Sequence, residues 1–298
     1  MSSTESEPEE AITKEEITQQ VSAPPPPPGK MGSSSQTATA TKPRNAFTEL
    51  MKPKPHPPPP DSKHSHPSTA SKLTRAFKDR DGLGAYLADP KAFPSSRVIY
   101  HNEGFVAIHD LYPKASVHTL LLPRSTKHNR LHPFDAFEDI EFLATVRVET
   151  DRLKNLVAKE LKRRFGSGSR KEIEREQALA TAGEDSDETQ LPPGRDWLAE
   201  VKVGIHLHPS MSHLHVHVFS RDMHSPCLKH RKHYNSFNTP FLVDLADFPI
   251  PKDDPRRHPR LGYLDRDLVC WRCGKNFTNK FKALKEHLEK EFEEWKTE

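Results

Sequence analysis

Cysteine is scarce, with three in 298 residues, which argues against a disulfide framework and suits a reducing compartment. No run approaches the roughly 18 apolar residues of a membrane span, and the amino terminus lacks the apolar core of a signal peptide. The expectation is a soluble nuclear or cytosolic protein with no membrane contact. Aromatic residues and apolar periodicity are nearly absent before residue 72, where 14 of the 28 prolines fall, in runs such as PPPPP (Pro24 to Pro28) and HPPPP (His56 to Pro60). Such a composition cannot bury enough apolar surface to offset ordering entropy, so 1–71 reads as a disordered Pro-rich tail. Its opening is acidic (Glu5, Glu7, Glu9, Glu10, Glu15 and Glu16 against Lys14), so the remainder is more basic than the net charge of +3. The acidic, Pro-rich character suits binding to a protein partner.

Apolar pattern begins with "SKLTRAFKDRDGLGAYLADP" and predicts a short helix near 72–87. Three strands follow: Val98 to Tyr100, Phe105 to His109 after an Asn-Glu-Gly turn, and "VHTLLLP" after Pro113. Phe134, Phe137, Leu143, Val146, Leu153, Leu156, Val157 and Leu161 recur at a three-to-four spacing. That predicts an amphipathic helix of about thirty residues with room for one break. Residues 163–195 lose periodicity and gain charge, Gly and Pro, and read as a mobile insertion with a short helix at 171–180. "WLAEVKVGIHLHPS" resumes as a strand. Strands, one long helix, then strands again make an α+β domain over 72–245 with an antiparallel sheet. The last fifty residues, 246–298, read as a separate small unit around two cysteines.

Within "SMSHLHVHVFS", side chains alternate along a strand, so His213, His215, His217 and Phe219 share one face while Leu214, Val216 and Val218 pack inward. Three readings compete. His-x-His can chelate zinc, but a catalytic zinc wants a third ligand and none is declared locally. The row can be a solvated polar face. Or it can do chemistry: a neutral imidazole is a good nucleophile toward phosphorus when its other ring N–H is held by an acceptor, with flanking cations and donors stabilising the phosphate.

"HLHVHVF" resembles the His-φ-His-φ-His-φ-φ signature of the histidine-triad (HIT) nucleotide hydrolases and transferases, and "HDLYPKASVHTLLLP" resembles their early strand pair. The run "PSMSHLHVHVFSRDMHSPCLKHRKHYNSFNTPF", with a carboxy-terminal finger, is similar to the aprataxins over about 72–298. The resemblance implies a DNA 5′-adenylate hydrolase. His215 matches the nucleophile, which attacks the adenylate phosphorus, forms an adenylyl-histidine and releases a DNA 5′-phosphate before water yields AMP. His217 and His213 match the flanking pair, Ser210 a phosphate contact and Asp110 a ribose contact. Lys114, His118 and His206 match positions near the phosphates. Lys229, in "SPCLK", matches a DNA-phosphate contact. The family uses an aromatic of the first helix as a wedge against the terminal base pair, and Phe77, between Arg75 and Lys78, stands there. His208 departs from the family pattern and is assigned nothing. The amino-terminal phosphopeptide-binding domain of animal aprataxins has no counterpart here.

"CWRCGKNFTNKFKALKEHLEKEFEEW" offers Cys270-x2-Cys273 and, thirteen residues on, His287. A helix over 280–295 puts His287 and Glu291 four apart on one face. That is a C2H2-like finger with a carboxylate as fourth ligand, which zinc accepts. A water could complete the shell instead, because acidic residues crowd this helix; Glu289, two from His287, points elsewhere. The zinc is expected to be structural, with none needed for catalysis, and Cys227 is expected to be a buried thiol. The charged surroundings ("KDDPRRHPR", Lys275, Lys280, Lys282, Lys285) suit phosphate contacts. The expected substrate is DNA with a 5′-adenylated nick or end, and the expected location is the nucleus. Two rivals stand: a general HIT hydrolase of nucleoside phosphoramidates or dinucleoside polyphosphates, and a non-catalytic zinc-finger DNA-binding protein.

Overall fold

The computed structural model describes residues 80–182, 191–258 and 261–298. The expected tail over 1–71, Phe77 and the first turns of the helix near 72–87 lie outside these residues. The described chain begins with turns that lead into α1 (Gly84–Ala88).

Three strands follow, β1 (Val98–His101), β2 (Phe105–His109) and β3 (His118–Pro123). The β1–β2 turn closes because the Asn102 side-chain oxygen accepts from the amides of Gly104 and Phe105 at 3.0 and 2.7 Å, the local bonding that favours Asn in turns. Two further strands, β4 (Val201–His206) and β5 (Val216–Ser220), and the short β6 (Leu242–Val243) complete a sheet of order β1-β2-β3-β5-β4-β6 in which every pair is antiparallel. The histidine strand is shorter than its alternation suggests. Only His217 and Phe219 lie within β5; His213 and His215 lead into it.

Between β3 and β4 run α2 (Pro133–Ala136) and α3 (Ile140–Phe165). The anticipated break falls at Phe137–Asp139, because Asp139 caps α3 by accepting from the Phe142 amide at 3.1 Å. Glu141 in the first turn and Lys162, Arg163 and Arg164 in the last oppose the helix dipole favourably. Phe142, Leu143, Val146, Leu153, Val157 and Leu161 bury against the sheet. Each is worth about 1.5–3 kcal/mol relative to exposure. Leu156, expected on that face, is 37 % exposed on the other side.

The stretch expected as a mobile insertion over 163–195 is built on both flanks. Helix α3 continues to Phe165, and α4 (Arg170–Thr181) follows. Glu172, buried, accepts from Trp197 Nε1 at 2.8 Å and pairs with Lys162 at 2.8 Å. The first amides of α4 donate to the carbonyls of Thr297 and Glu298. Residues 183–190 lie outside the described ones.

Helix α5 (Arg231–Asn238) packs on the histidine side of the sheet, and α6 (Phe281–Trp295) closes the chain. The finger is not a separate body. Leu284 and Leu288 fill a cluster with Phe219, Tyr234 and Phe237, while Phe292 and Trp295 join the core that holds Leu153 and Val218. At Gly204, opposite His217, a Cβ would fall 2.6 Å from Leu242 Cγ and 2.8 Å from the Val243 carbonyl. Only glycine lets β6 close there.

Candidate active site and zinc centre

Leu214, Val216 and Val218 point into the core under α3, so His215 and His217 face the other way, into a pocket. Its polar lining includes Asp110, Lys114, His206, Ser210, His215 and His217, together with His109, Tyr112 and Ser236; its apolar walls include Leu83, Tyr86, Ile108, Leu111, Met211 and Phe237. Six expected site residues therefore meet in one cavity. Three do not line it: His118 lies behind His217, His213 lies under α1, and Lys229 is exposed beyond it.

Backbone groups dictate the ring tautomers. His215 Nδ1 lies 2.8 Å from the His213 carbonyl, which can only accept. Nδ1 therefore carries the proton, and the Nε2 lone pair is left for the pocket. The Lys114 amide donates to His118 Nδ1 at 3.0 Å, which leaves the proton on His118 Nε2, 3.0 Å from His217 Nδ1. That bond makes His217 Nδ1 the acceptor and places the His217 proton on Nε2. This Nε2 is buried and has no hydrogen-bond partner among the described residues, a donor ready for an oxygen.

Burial lowers every one of these pKa values. His118 falls to about 4, with Asp110 pulling the other way. His206 and His217 fall well below their ordinary value through burial and neighbouring imidazoles. His215 is lowered by burial, against the opposing His213 carbonyl and Asp110. The cluster is neutral at pH 7, as a nucleophile and its hydrogen-bond donors require.

The supporting residues divide their work. Asp110 uses one oxygen to close a turn on the Tyr112 amide at 2.8 Å, and its other oxygen lies 3.5 Å from His118 Nε2. His206 stacks against His217 with ring centroids 4.5 Å apart. His213 does not reach the pocket because Gly84 packs on its ring; a Cβ there would fall 2.8 Å from His213 Cε1. Lys229 donates its amide to His233 Nδ1 at 3.3 Å.

Sequence reading missed Arg80, whose Nε donates to the Ser210 carbonyl at 2.7 Å while its own carbonyl accepts from the Ser212 amide. It holds the loop that carries Ser210, and nothing in "KDRDGL" announces that. Tyr86 and Phe237, as pocket walls, were also missed, since an apolar wall looks like core in a sequence. Cys227, expected to be buried, is half-buried.

At the other centre, donor atoms of Cys270, Cys273, His287 and Glu291 lie within 4.8 Å of one another. Cys273 Sγ is 3.1 Å from His287 Nε2, which is 3.0 Å from Glu291 Oε1. Arg272 holds the second oxygen of Glu291 at 2.6 Å, leaving Oε1 to face the cluster. Two sulfurs, one imidazole and one oriented carboxylate form a donor set that suits zinc. Glu289 pairs with His224 at 2.7 Å and stands apart.

Comparison with known proteins defines the class. The HIT domain model matches residues 93–224, and the model of the C2HE / C2H2 / C2HC zinc-binding finger matches 238–294. This is a HIT domain followed by a zinc-binding finger. The aprataxin-like protein of Saccharomyces cerevisiae is 34 % identical over 224 residues, covering 72 % of this chain and 95 % of the relative. That of Schizosaccharomyces pombe is 31 % identical, covering 72 % and 82 %. The chain belongs to the aprataxin-like family. Among solved structures, aprataxin ortholog Hnt3 from Schizosaccharomyces pombe matches with a TM-score of 0.53 at 28 % identity, covering 72 % of this chain and 92 % of that one. Hnt3 in complex with DNA and guanosine matches with a TM-score of 0.55 at 29 % identity, covering 72 % and 96 %.

Proposed function

We propose that this chain hydrolyses 5′-adenylated DNA, removing AMP from abortive ligation intermediates through a covalent adenylyl-histidine on His215. The observation that carries the reading is the 2.8 Å bond from His215 Nδ1 to the His213 carbonyl, which leaves an unprotonated Nε2 for the pocket that His215 lines. In the first step Nε2 forms a bond to the adenylate phosphorus as the bridging P–O bond breaks, and the DNA leaves with its 5′-phosphate. The carbonyl stays bonded to Nδ1–H and stabilises the cationic, adenylylated ring. In the second step water attacks the phosphorus and gives up a proton to solvent, the P–N bond breaks, AMP leaves and the neutral imidazole is restored.

The other residues take positions consistent with this chemistry. His217 Nε2–H is a donor for a non-bridging phosphate oxygen, and its tautomer is set through His118 from the Lys114 amide. Lys114, Ser210 and His206 line the same wall and suit phosphate contacts; Asp110 suits the ribose hydroxyls. His213 acts through its carbonyl rather than its ring. Phe77, outside the described residues, is assigned the wedge against the terminal base pair, and Lys229 a phosphate contact on the DNA. Zinc would be held by Cys270, Cys273, His287 and Glu291, where it supplies a structural cross-link; catalysis by the histidine cluster needs no metal. Action on DNA in repair implies a nuclear location. Hnt3 structures in complex with DNA among the structural relatives support DNA as the substrate over a free dinucleotide.

The direct test is His215→Ala against adenylated nicked DNA. AMP release should fall by several orders of magnitude while DNA binding stays near normal. Near-normal turnover would end the covalent mechanism.

A further inference from the structure

Lys202 and Arg221 stand on the histidine side of the sheet, beyond the catalytic pocket. Register sets Gly204 opposite His217 and Lys202 opposite Phe219, and directly paired residues share a face. Arg221 follows the end of β5. Between these two residues and the finger runs a groove of about 630 Å³, lined also by Phe237, Asp244 and Trp271. Phe237 lines the catalytic pocket as well, so the two spaces meet at this residue.

The charges in this groove are unbalanced. Arg221 stacks over the Trp271 ring at 4.9 Å, its Nε is buried without a hydrogen-bond partner, and it forms no ion pair among the described residues. Lys202 donates to the Phe237 carbonyl at 2.6 Å. Burial, then the charge of Arg221, pulls its pKa down to about 8. Among the described residues Asp244 is the one acid on the wall, and its carboxylate accepts from the Ala246 amide at 2.8 Å without an ion pair to either cation. Two cations that repel one another without a counter-charge destabilise the fold, and an anion between them removes the conflict. A phosphodiester supplies one negative charge and two free oxygens, one for a guanidinium and one for an ammonium.

We propose that Arg221 and Lys202 form a phosphate-binding site outside the catalytic pocket, and that it holds a backbone diester of the DNA whose adenylated end occupies that pocket. The assignment of the phosphate to DNA rests on the function proposed above.

The experiment compares wild type, Arg221→Gln and Arg221→Lys on adenylated nicked DNA and on AMP-lysine, between about 50 and 200 mM salt. Arg221→Gln should raise KM for DNA about five- to tenfold, flatten the log–log salt dependence of DNA binding by about one, and leave AMP-lysine turnover unchanged. Arg221→Lys, which keeps the charge, should retain the wild-type slope. If wild type turns over the DNA and Arg221→Gln matches it in KM and slope, the groove site is overturned and the DNA reading stands. Equal losses on DNA and AMP-lysine would place Arg221 in the fold and also overturn the site. If the wild type leaves adenylated DNA intact, the proposed function itself fails, and the assignment to DNA goes with it.

Discussion

The His213 carbonyl permits His215 one tautomer, and the Lys114 amide does the same for His118 and, through it, for His217. A pH dependence follows with a definite sign. Burial holds His118 at about 4 and holds His206, His215 and His217 below 6.5. Below pH 6.5 the unfolded chain binds protons that the fold refuses, so this stability is fully present above 6.5 and is lost as pH falls toward the folded values. His118 alone accounts for about 3 kcal/mol of that loss by pH 4. The melting temperature should be level near pH 7 to 8 and decline steadily below 6.5, and His118→Gln should shallow the decline. A melting temperature that rises on acidification from pH 6.5 to 5 would refute neutral burial of the cluster.

At the scale of elements, the finger helix α6 carries both the proposed zinc ligands His287 and Glu291 and core residues, Phe292 and Trp295 lying in the same cluster as Val218. Cys273→Ser should therefore lose one zinc per chain and lower the melting temperature of the whole molecule, while His215→Ala keeps its zinc. Elemental analysis of the two proteins decides this; zinc lost from His215→Ala would move the metal to the histidines. The elements themselves were legible where period and length agree. β2 and β3 stand where alternating and apolar runs put them, and α3 where the three-to-four spacing put it. Legibility stopped where partners distant in sequence decide. Glu172 is an ordinary acid on a polar helix until Trp197 and Lys162 close on it. Leu156 meets the spacing rule yet faces away. The histidine strand begins only at Val216, since alternation in sequence does not say where pairing starts.

Across the whole molecule, the catalytic pocket joins residues from α1 to α5, and no local pattern links Arg80 to Ser210 or Leu83 to Phe237. The histidine row and the Cys-Cys-His spacing were readable because chemistry restricts the residue types; pocket walls were not, because any apolar side chain looks like core. Phe77, which lies outside the described residues, carries a prediction at this scale. Phe77→Ala should weaken action on adenylated nicked DNA by about 1–3 kcal/mol of lost stacking and leave AMP-lysine untouched. Equal loss on both substrates would make Phe77 a packing residue.

The proposed mechanism turns on a covalent bond between His215 and AMP. The decisive measurement is to incubate the protein with DNA carrying a radiolabelled 5′-adenylate, quench within a turnover, and map the label by peptide mass. AMP on the peptide containing His215, acid-labile as a phosphoramidate and missing in His215→Ala, is the result expected. Release of AMP with no protein-bound label at any time in the turnover, or label on another residue, would contradict it.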